Sequence, residues 1–260
     1  MAREARRKPV RWRFWLRAAF WLAVGVSTAV AARQATRFAG QDPLFILPAA
    51  NTPCFIIDGM THGSRERVAE VFAGDFGRSV FRVPLGERRR RLLAIDWVED
   101  AVVSRVWPNR IWVRIRERTP EAFVRLPQGR TGSRLALIDR NGVILSLPPK
   151  SKFSFPIVTG LTEEQPESVR AARVRYVLQV ETEIGAAARQ ISEIHLSPDD
   201  EVALTVPVDG RAVELLVGDR NFGSRYRNFM NAYPEIRKRS PRARLFDLRL
   251  DDRITARNGG

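Results

Sequence analysis

The run Ala101 to Arg116, AVVSRVWPNRIWVRIR, decides how the first part of this chain is built. Ala101 to Val106 is apolar enough for a strand, Trp107-Pro108-Asn109 is a turn signal, and from Arg110 the pattern alternates without a break. Ile111, Val113 and Ile115 fall on one face, and Arg110, Trp112, Arg114 and Arg116 fall on the other, as a half-buried strand requires. Upstream, Ser64 is an N-cap for a helix carrying Val68, Val71 and Phe72 at i, i+3, i+4, and Gly74-Asp75-Phe76-Gly77 stops it. A second helix has Leu85, Leu92 and Leu93 on one face and Arg88 to Arg91 around the rest, ending near Asp96. A short strand, Cys54 to Ile57, precedes both and ends in Asp58-Gly59. Strand, helix, helix, strand, strand makes a compact domain of about 70 residues.

Farther upstream lies Phe14 to Ala32, FWLRAAFWLAVGVSTAVAA, the one run apolar enough to enter a membrane. Its helix reaches roughly 28 Å, against the ~30 Å of a hydrocarbon core. Arg17 interrupts it one turn in and must snorkel to the near interface, where Trp12, Trp15 and Trp21 also belong. Arg3, Arg6, Arg7, Lys8, Arg11, Arg13 and Arg17 stand against Glu4 alone, so the positive-inside bias keeps the N-terminus cytoplasmic and the bulk outside. The rival reading is a cleaved leader, with Ala29-Val30-Ala31 as an A-x-A-like site. The anchored reading leads, because the run exceeds a leader's usual apolar core and Arg33 and Arg37 flank its far end. Pro- and Gly-punctuated linker sequence then leads to Cys54.

The chain has 260 residues and a formal net charge of +15. Of that charge, +6 sits in the first 17 residues, and the rest is spread out. A spread charge indicates a solvated surface or contact with anionic lipid or cell-wall polymer ahead of a nucleic-acid patch, and nucleic acid is not the ordinary partner outside the cytoplasm. Cys54 is the sole cysteine, so no intrachain disulfide forms, and it reads as a small buried strand residue. His62, His195 and Cys54 are far apart in unrelated elements, which leaves no metal-ligand spacing. G-x-S-x-G, S-x-x-K, Walker and G-x-G-x-x-G patterns are absent, and acidic pairs such as Glu99-Asp100 or Asp251-Asp252 are adjacent residues that point apart or face water. No catalytic, cofactor or small-molecule site is expected.

From Arg134 the pattern turns to short strands. Leu135 to Ile138 and Val143 to Leu147 flank Asn141-Gly142, whose positive-φ tolerance suits a tight hairpin; Val202 to Val206 and Val213 to Val217 flank Asp209-Gly210 likewise. Glu167 to Ile184 is a helix. Another carries Tyr226, Phe229, Met230, Tyr233 and Ile236 as a core stripe and ends at Ser240-Pro241. Leu245 to Leu250 is the expected last strand, with Phe246, Leu248 and Leu250 on one side and Asp247, Arg249 and Asp251 on the other.

These stretches resemble the FtsQ/DivIB family of bacterial division proteins. The resemblance is carried by Phe55-Ile56-Ile57-Asp58-Gly59, Trp97-Val98, Arg105-Val106-Trp107-Pro108 and Glu117-Arg118-Thr119-Pro120-Glu121-Ala122, then by Leu137 to Val143, Pro156 to Gly160 and Phe246-Asp247-Leu248-Arg249. It implies an α+β chain: a basic cytoplasmic tail over 1–13, a transmembrane helix over 14–36, a linker over 37–52, a POTRA domain (βααββ) over 53–124, a β-rich domain with two helices over 125–256, and a C-terminal tail over 257–260. It also implies a non-enzymatic scaffold at the septum of the inner membrane. Such a scaffold holds FtsB-like and FtsL-like partners through the last strand and docks other divisome members through the POTRA domain. Phe246, Arg249, Leu250, Asp251, Asp252 and Ile254 are the implied contact residues, at a sheet edge that a partner strand could extend. Leu250 stands where many relatives have Tyr, and Asp96 where many have Pro. The alternatives are a POTRA-type assembly or secretion factor of the envelope, and a cell-wall hydrolase.

Overall fold

The computed structural model describes residues 12–129, 131–149, 152–250 and 253–258. The chain divides into two compact units, one of residues 1–58, 65–92 and 101–115, the other of 59–64, 93–100 and 116–260.

In the first unit, helix α1 runs Trp12–Gln41 and holds an apolar window, Phe14–Thr36, long enough to cross a membrane once. The helix continues ten residues past Ala31 without a break. Strand β1 (Phe55–Asp58), helices α2 (Arg65–Val71) and α3 (Leu85–Leu92), and strands β2 (Val98–Val106) and β3 (Arg110–Glu117) follow in the order that the alternation requires. β3 is the middle strand of a β1-β3-β2 sheet, with β1 parallel to it and Phe55 opposite Ile111. Ile111, Val113 and Ile115 are buried, as are Val68, Phe72 and Leu92 of the helical segments, while Arg110, Arg114 and Arg116 stay exposed. Burying each such side chain stabilises by about 1.5–3 kcal/mol, which is why the period of two fixes this strand's facing.

Two expectations fail here. Arg88 does not cover an outer face: it is buried, and its Nε and Nη2 donate to Asp75 Oδ2 and Oδ1 at 2.6 and 3.0 Å. That pairing holds the Arg88 guanidinium above its ordinary pKa, against the opposing effect of burial. Cys54 is only half-buried and precedes β1, with its Sγ 3.7 Å from Asn109 Oδ1.

The second unit is a nine-stranded sheet in the order β12-β11-β10-β9-β8-β7-β4-β5-β6. Its strands are β4 (Pro120–Gln128), β5 (Gly132–Asp139), β6 (Ile144–Leu145), β7 (Ile157–Thr159), β8 (Glu193–Leu196), β9 (Val202–Val208), β10 (Arg211–Gly218), β11 (Ala243–Asp247) and β12 (Thr255–Asn258). Two helices are its crossovers. α4 (Glu167–Ile184) joins the parallel pair β7 and β8, and α5 (Phe222–Arg239) joins the parallel pair β10 and β11, because parallel neighbours cannot be linked by a short turn. Val174, Val177, Phe222 and Phe229 from these helices share one core with Val124, Ile138, Val158, Ile194 and Leu204. The stripe Tyr226, Phe229, Tyr233 is buried as expected, but Met230 is exposed. At the β9–β10 turn both Asp209 and Gly210 have positive φ. At the β5–β6 turn only Gly142 does; Asn141 instead donates its N–H to Asp139 Oδ1, and Val143 does the same.

Candidate partner-binding edge

The chain ends differently from its sequence pattern. β11 stops at Asp247, and the expected strand to Leu250 does not form, because a further strand, β12, folds back antiparallel onto β11 with Phe246 opposite Ala256 and Asp247 opposite Thr255. β12, not β11, is the terminal strand of the sheet. Its second side has no neighbour among the described residues, and its exposed positions are Thr255 and Arg257.

Between β11 and β12 the chain passes over the end of β10. Leu248 N–H donates to Leu216 O, which extends the β10 contact by one residue beyond β11. Arg249 leaves the sheet and grips it from the side: its Nε and Nη2 donate to Asp247 Oδ1 and Oδ2 at 2.9 and 2.7 Å, and its Nη1 donates to Glu201 Oε2 at 3.0 Å. The pair with Arg249 pulls the Asp247 carboxyl below its ordinary pKa, partial burial acting the other way, and raises the Arg249 guanidinium. Below this lies Arg225 of α5, buried, whose Nη1 and Nη2 donate to Val217 O and Arg249 O, both at 2.7 Å. Gly218 makes the approach feasible. Its φ is +77°, and a Cβ there would stand 3.0 Å from Arg225 Nη1 and 3.2 Å from Arg249 Cγ. An open groove of about 610 Å³ runs along α5, with Asn228, Asn231 and Ala232 on the helix side and Leu248, Leu250, Arg253 and Ile254 on the other.

The residues implied as contacts therefore separate. Leu250 is exposed on the groove, and Ile254 is half-buried against the core. Arg249 is exposed in part but committed to Asp247 and Glu201. Phe246 is a correction: it is 1% exposed and packs its ring 5.0 Å from Phe229, so it holds the sheet together and cannot touch a partner. Asp251 and Asp252 lie outside the described residues.

The motif residues are internal fasteners. Trp97 is buried and donates its indole N–H to Ser146 O at 2.9 Å; Val98 and Ala122 are fully buried, and Pro120 is buried at the start of β4. Arg105 donates to Val80 O and Val83 O, both at 2.7 Å. Glu117 accepts the backbone N–H of His62 and Gly63, and Arg118 Nη1 donates to Asp139 Oδ2 at 2.9 Å. Trp107, at the β2–β3 turn before Pro108, is exposed, as are Trp12, Trp15, Arg17 and Trp21 on α1. Besides Arg88, three buried arginines among the described residues were not foreseen from the sequence. Besides Arg225, Arg170 Nε donates to Gly142 O at 2.7 Å, and Arg173 Nη1 donates to Gly160 O at 2.9 Å. Arg170 and Arg173 share the spacing of Val174 and Val177 on one face of α4, and that spacing was the available signal. Among the described residues no three His, Cys, Asp or Glu side chains converge as metal ligands.

Comparisons with known proteins agree with this architecture. The model "POTRA domain, FtsQ-type" matches residues 54–118, and "Cell division protein FtsQ/DivIB, C-terminal" matches residues 128–249. The Cell division protein FtsQ of Koribacter versatilis is 35% identical over 204 residues, covering 76% of this chain and 57% of that protein. That of Salinibacter ruber is 29% identical over 201 residues, covering 74% and 75%, and that of a Geobacter species is 26% identical over 198 residues, covering 74% and 70%. This chain thus spans little more than half the length of the Koribacter relative. A span-length N-terminal helix, the FtsQ-type POTRA unit and the FtsQ/DivIB C-terminal region follow one another in a single order, and the chain belongs to the FtsQ/DivIB family of cell division proteins.

Proposed function

We propose that this protein is a non-enzymatic scaffold of the divisome, spanning the inner membrane once with its N-terminus in the cytoplasm and its POTRA and β domains outside. It gathers at the septum and links early to late division proteins. Support for the span comes from the uninterrupted helix through Ala31. Seven basic residues against one acidic before its centre support the orientation.

The observation that carries the reading is the β12 edge beside the α5 groove. A strand with one unpaired side presents a row of backbone N–H and C=O groups, and an extended segment of an FtsB-like or FtsL-like partner can add to it, with side chains settling into the groove for specificity. The experiment is capture of those partners by the full chain carrying Leu250→Asp and Arg257→Glu, two exposed positions. Capture is lost while the circular dichroism and melting of the chain stay unchanged. Undiminished capture by this folded variant would place the interface elsewhere.

A further inference from the structure

Past the C-terminal end of the apolar window, the described residues expose three aromatic side chains: Phe38 at 60%, Phe81 at 45% and Trp107 at 69%. They come from α1, from the short turn Val80–Arg82 and from the β2–β3 turn, all in the first unit. All three meet one ring. Phe45, itself 4% exposed, lies edge-on to Phe38 at 6.0 Å, to Phe81 at 5.3 Å and to Trp107 at 5.3 Å. Leu44, which precedes Phe45 in the chain, is 53% exposed. Single exposed apolar residues are normal on a protein surface, but aromatic rings from three elements around one buried ring form a contiguous patch, and such patches mark contact sites.

Its position identifies the occupant. Phe38 follows Thr36, the last residue of the window, by two residues on the same helix, about 3 Å along the axis. The patch therefore begins where a spanning helix leaves the hydrocarbon, the depth at which Trp and other amphipathic rings gather. Its surroundings are basic. Arg33 precedes it on α1, Arg82 lays its guanidinium beside Gly40, with Nη2 3.0 Å from where a Cβ would stand, and Arg78 and Arg110 are exposed. Asp42, the acidic residue at the helix end, is occupied in accepting the Leu44 N–H.

We propose that this tip rests on the membrane: Phe38, Leu44, Phe81 and Trp107 enter the headgroup region of the leaflet where α1 ends, and Arg33, Arg78, Arg82 and Arg110 meet the phosphates of anionic lipid. The first unit is thereby held at a fixed tilt on the bilayer and does not swing on a tether. The inference rests on α1 spanning the membrane and goes beyond it.

The test uses the full chain with Cys54→Ser in nanodiscs of phosphatidylglycerol and phosphatidylcholine. A polarity-sensitive fluorophore is attached in turn at Trp107→Cys, at Val102→Cys on β2, the strand that leads to Trp107 (53% exposed), and at Val24→Cys inside the window. The label at 107 emits to the blue of that at 102. A nitroxide near the lipid headgroup quenches it severalfold more, and the quenching weakens in discs of phosphatidylcholine alone or with Phe81→Ser. If 24 is quenched by a deep nitroxide but 107 is quenched no more than 102, the inference is overturned and the patch belongs to a protein partner. If quenching at 107 is untouched by both Phe81→Ser and lipid charge, the label alone has entered the bilayer and the inference is likewise overturned. Absence of quenching at 24 overturns the span itself, and the inference falls with it.

Discussion

Replacing Asp75 by Asn breaks a buried ion pair of the first unit. The Asp75 carboxylate accepts two hydrogen bonds from Arg88, at 2.6 and 3.0 Å, and the two side chains are 4% and 11% exposed. At roughly 3 Å and an effective dielectric of about 20 their attraction is about 5 kcal/mol, largely offset by the desolvation of both charges. The pair is therefore worth little against an apolar pair of similar volume. Deleting one partner is another matter: the buried guanidinium loses its counter-charge, and such single removals cost about 3–5 kcal/mol. Glu87 Oε1, 3.4 Å from Arg88 Nη1, recovers only part, because Glu87 is itself 40% exposed and also pairs with Arg91. Most domains have only about 5–15 kcal/mol in hand, so Asp75→Asn removes much of the unit's margin. The sole cysteine, half-buried Cys54, lies in this unit, so pulsed labelling of its thiol along a urea series reads its unfolding directly. Asp75→Asn shifts the labelling midpoint to much lower urea, and Asp75→Leu with Arg88→Met recovers most of the shift. A loss below about 1 kcal/mol for the single variant, the range of exposed pairs, would refute the reasoning.

Gly160→Ala places a Cβ 1.9 Å from Leu196 O at a residue with φ +89°, between the parallel strands β7 and β8. A loss of about 3 kcal/mol or failure to fold is expected in denaturant unfolding of the second unit. Asp247 has a depressed pKa through its hydrogen bonds with Arg249, so the folded chain binds a proton there less readily than the unfolded chain. The contribution is present above the ordinary Asp value and is lost as pH falls through the depressed one. Amide protection around Arg249 and Leu250, taken relative to the intrinsic exchange rate at each pH, therefore falls on acidification, and Asp247→Asn removes that pH dependence. Glu181 titrates in the opposite sense. Burial first, and Glu121 second, raise its pKa, so its charged form opposes folding at neutral pH. Glu181→Gln raises the melting temperature at pH 7, and the gain vanishes once the pH drops below the ordinary Glu value.

The elements legible in the sequence were those with a local period. α4 begins and ends at Glu167 and Ile184 as its pattern indicates, β3 alternates through Ile111, Val113 and Ile115, and Asp209-Gly210 names its own turn. β7 and β8 were missed because each is three or four residues long and finds its partner only after the α4 crossover, so nothing local marks them. Arg88 was misplaced since a run of arginines reads as a solvated face unless one knows that Asp75, thirteen residues earlier, folds back onto it. The candidate edge was half legible. The sequence pointed to the C-terminal strands, but β12, Thr-Ala-Arg-Asn, is short and polar, and the apolar run through Leu250 overshadowed it. Arg225 and Arg249 close over Gly218 beside this edge, three residues that no local pattern connects.

The proposed role of the β12 edge is to recruit late division proteins to a scaffold already at the septum. The most direct measurement images fluorescent fusions of the FtsB-like and FtsL-like proteins in cells whose only copy of this chain carries Leu250→Asp and Arg257→Glu. The account predicts a midcell band of the variant itself, no midcell signal from the two partners, and filamentous cells. Partners banding normally at midcell in cells that divide would contradict it.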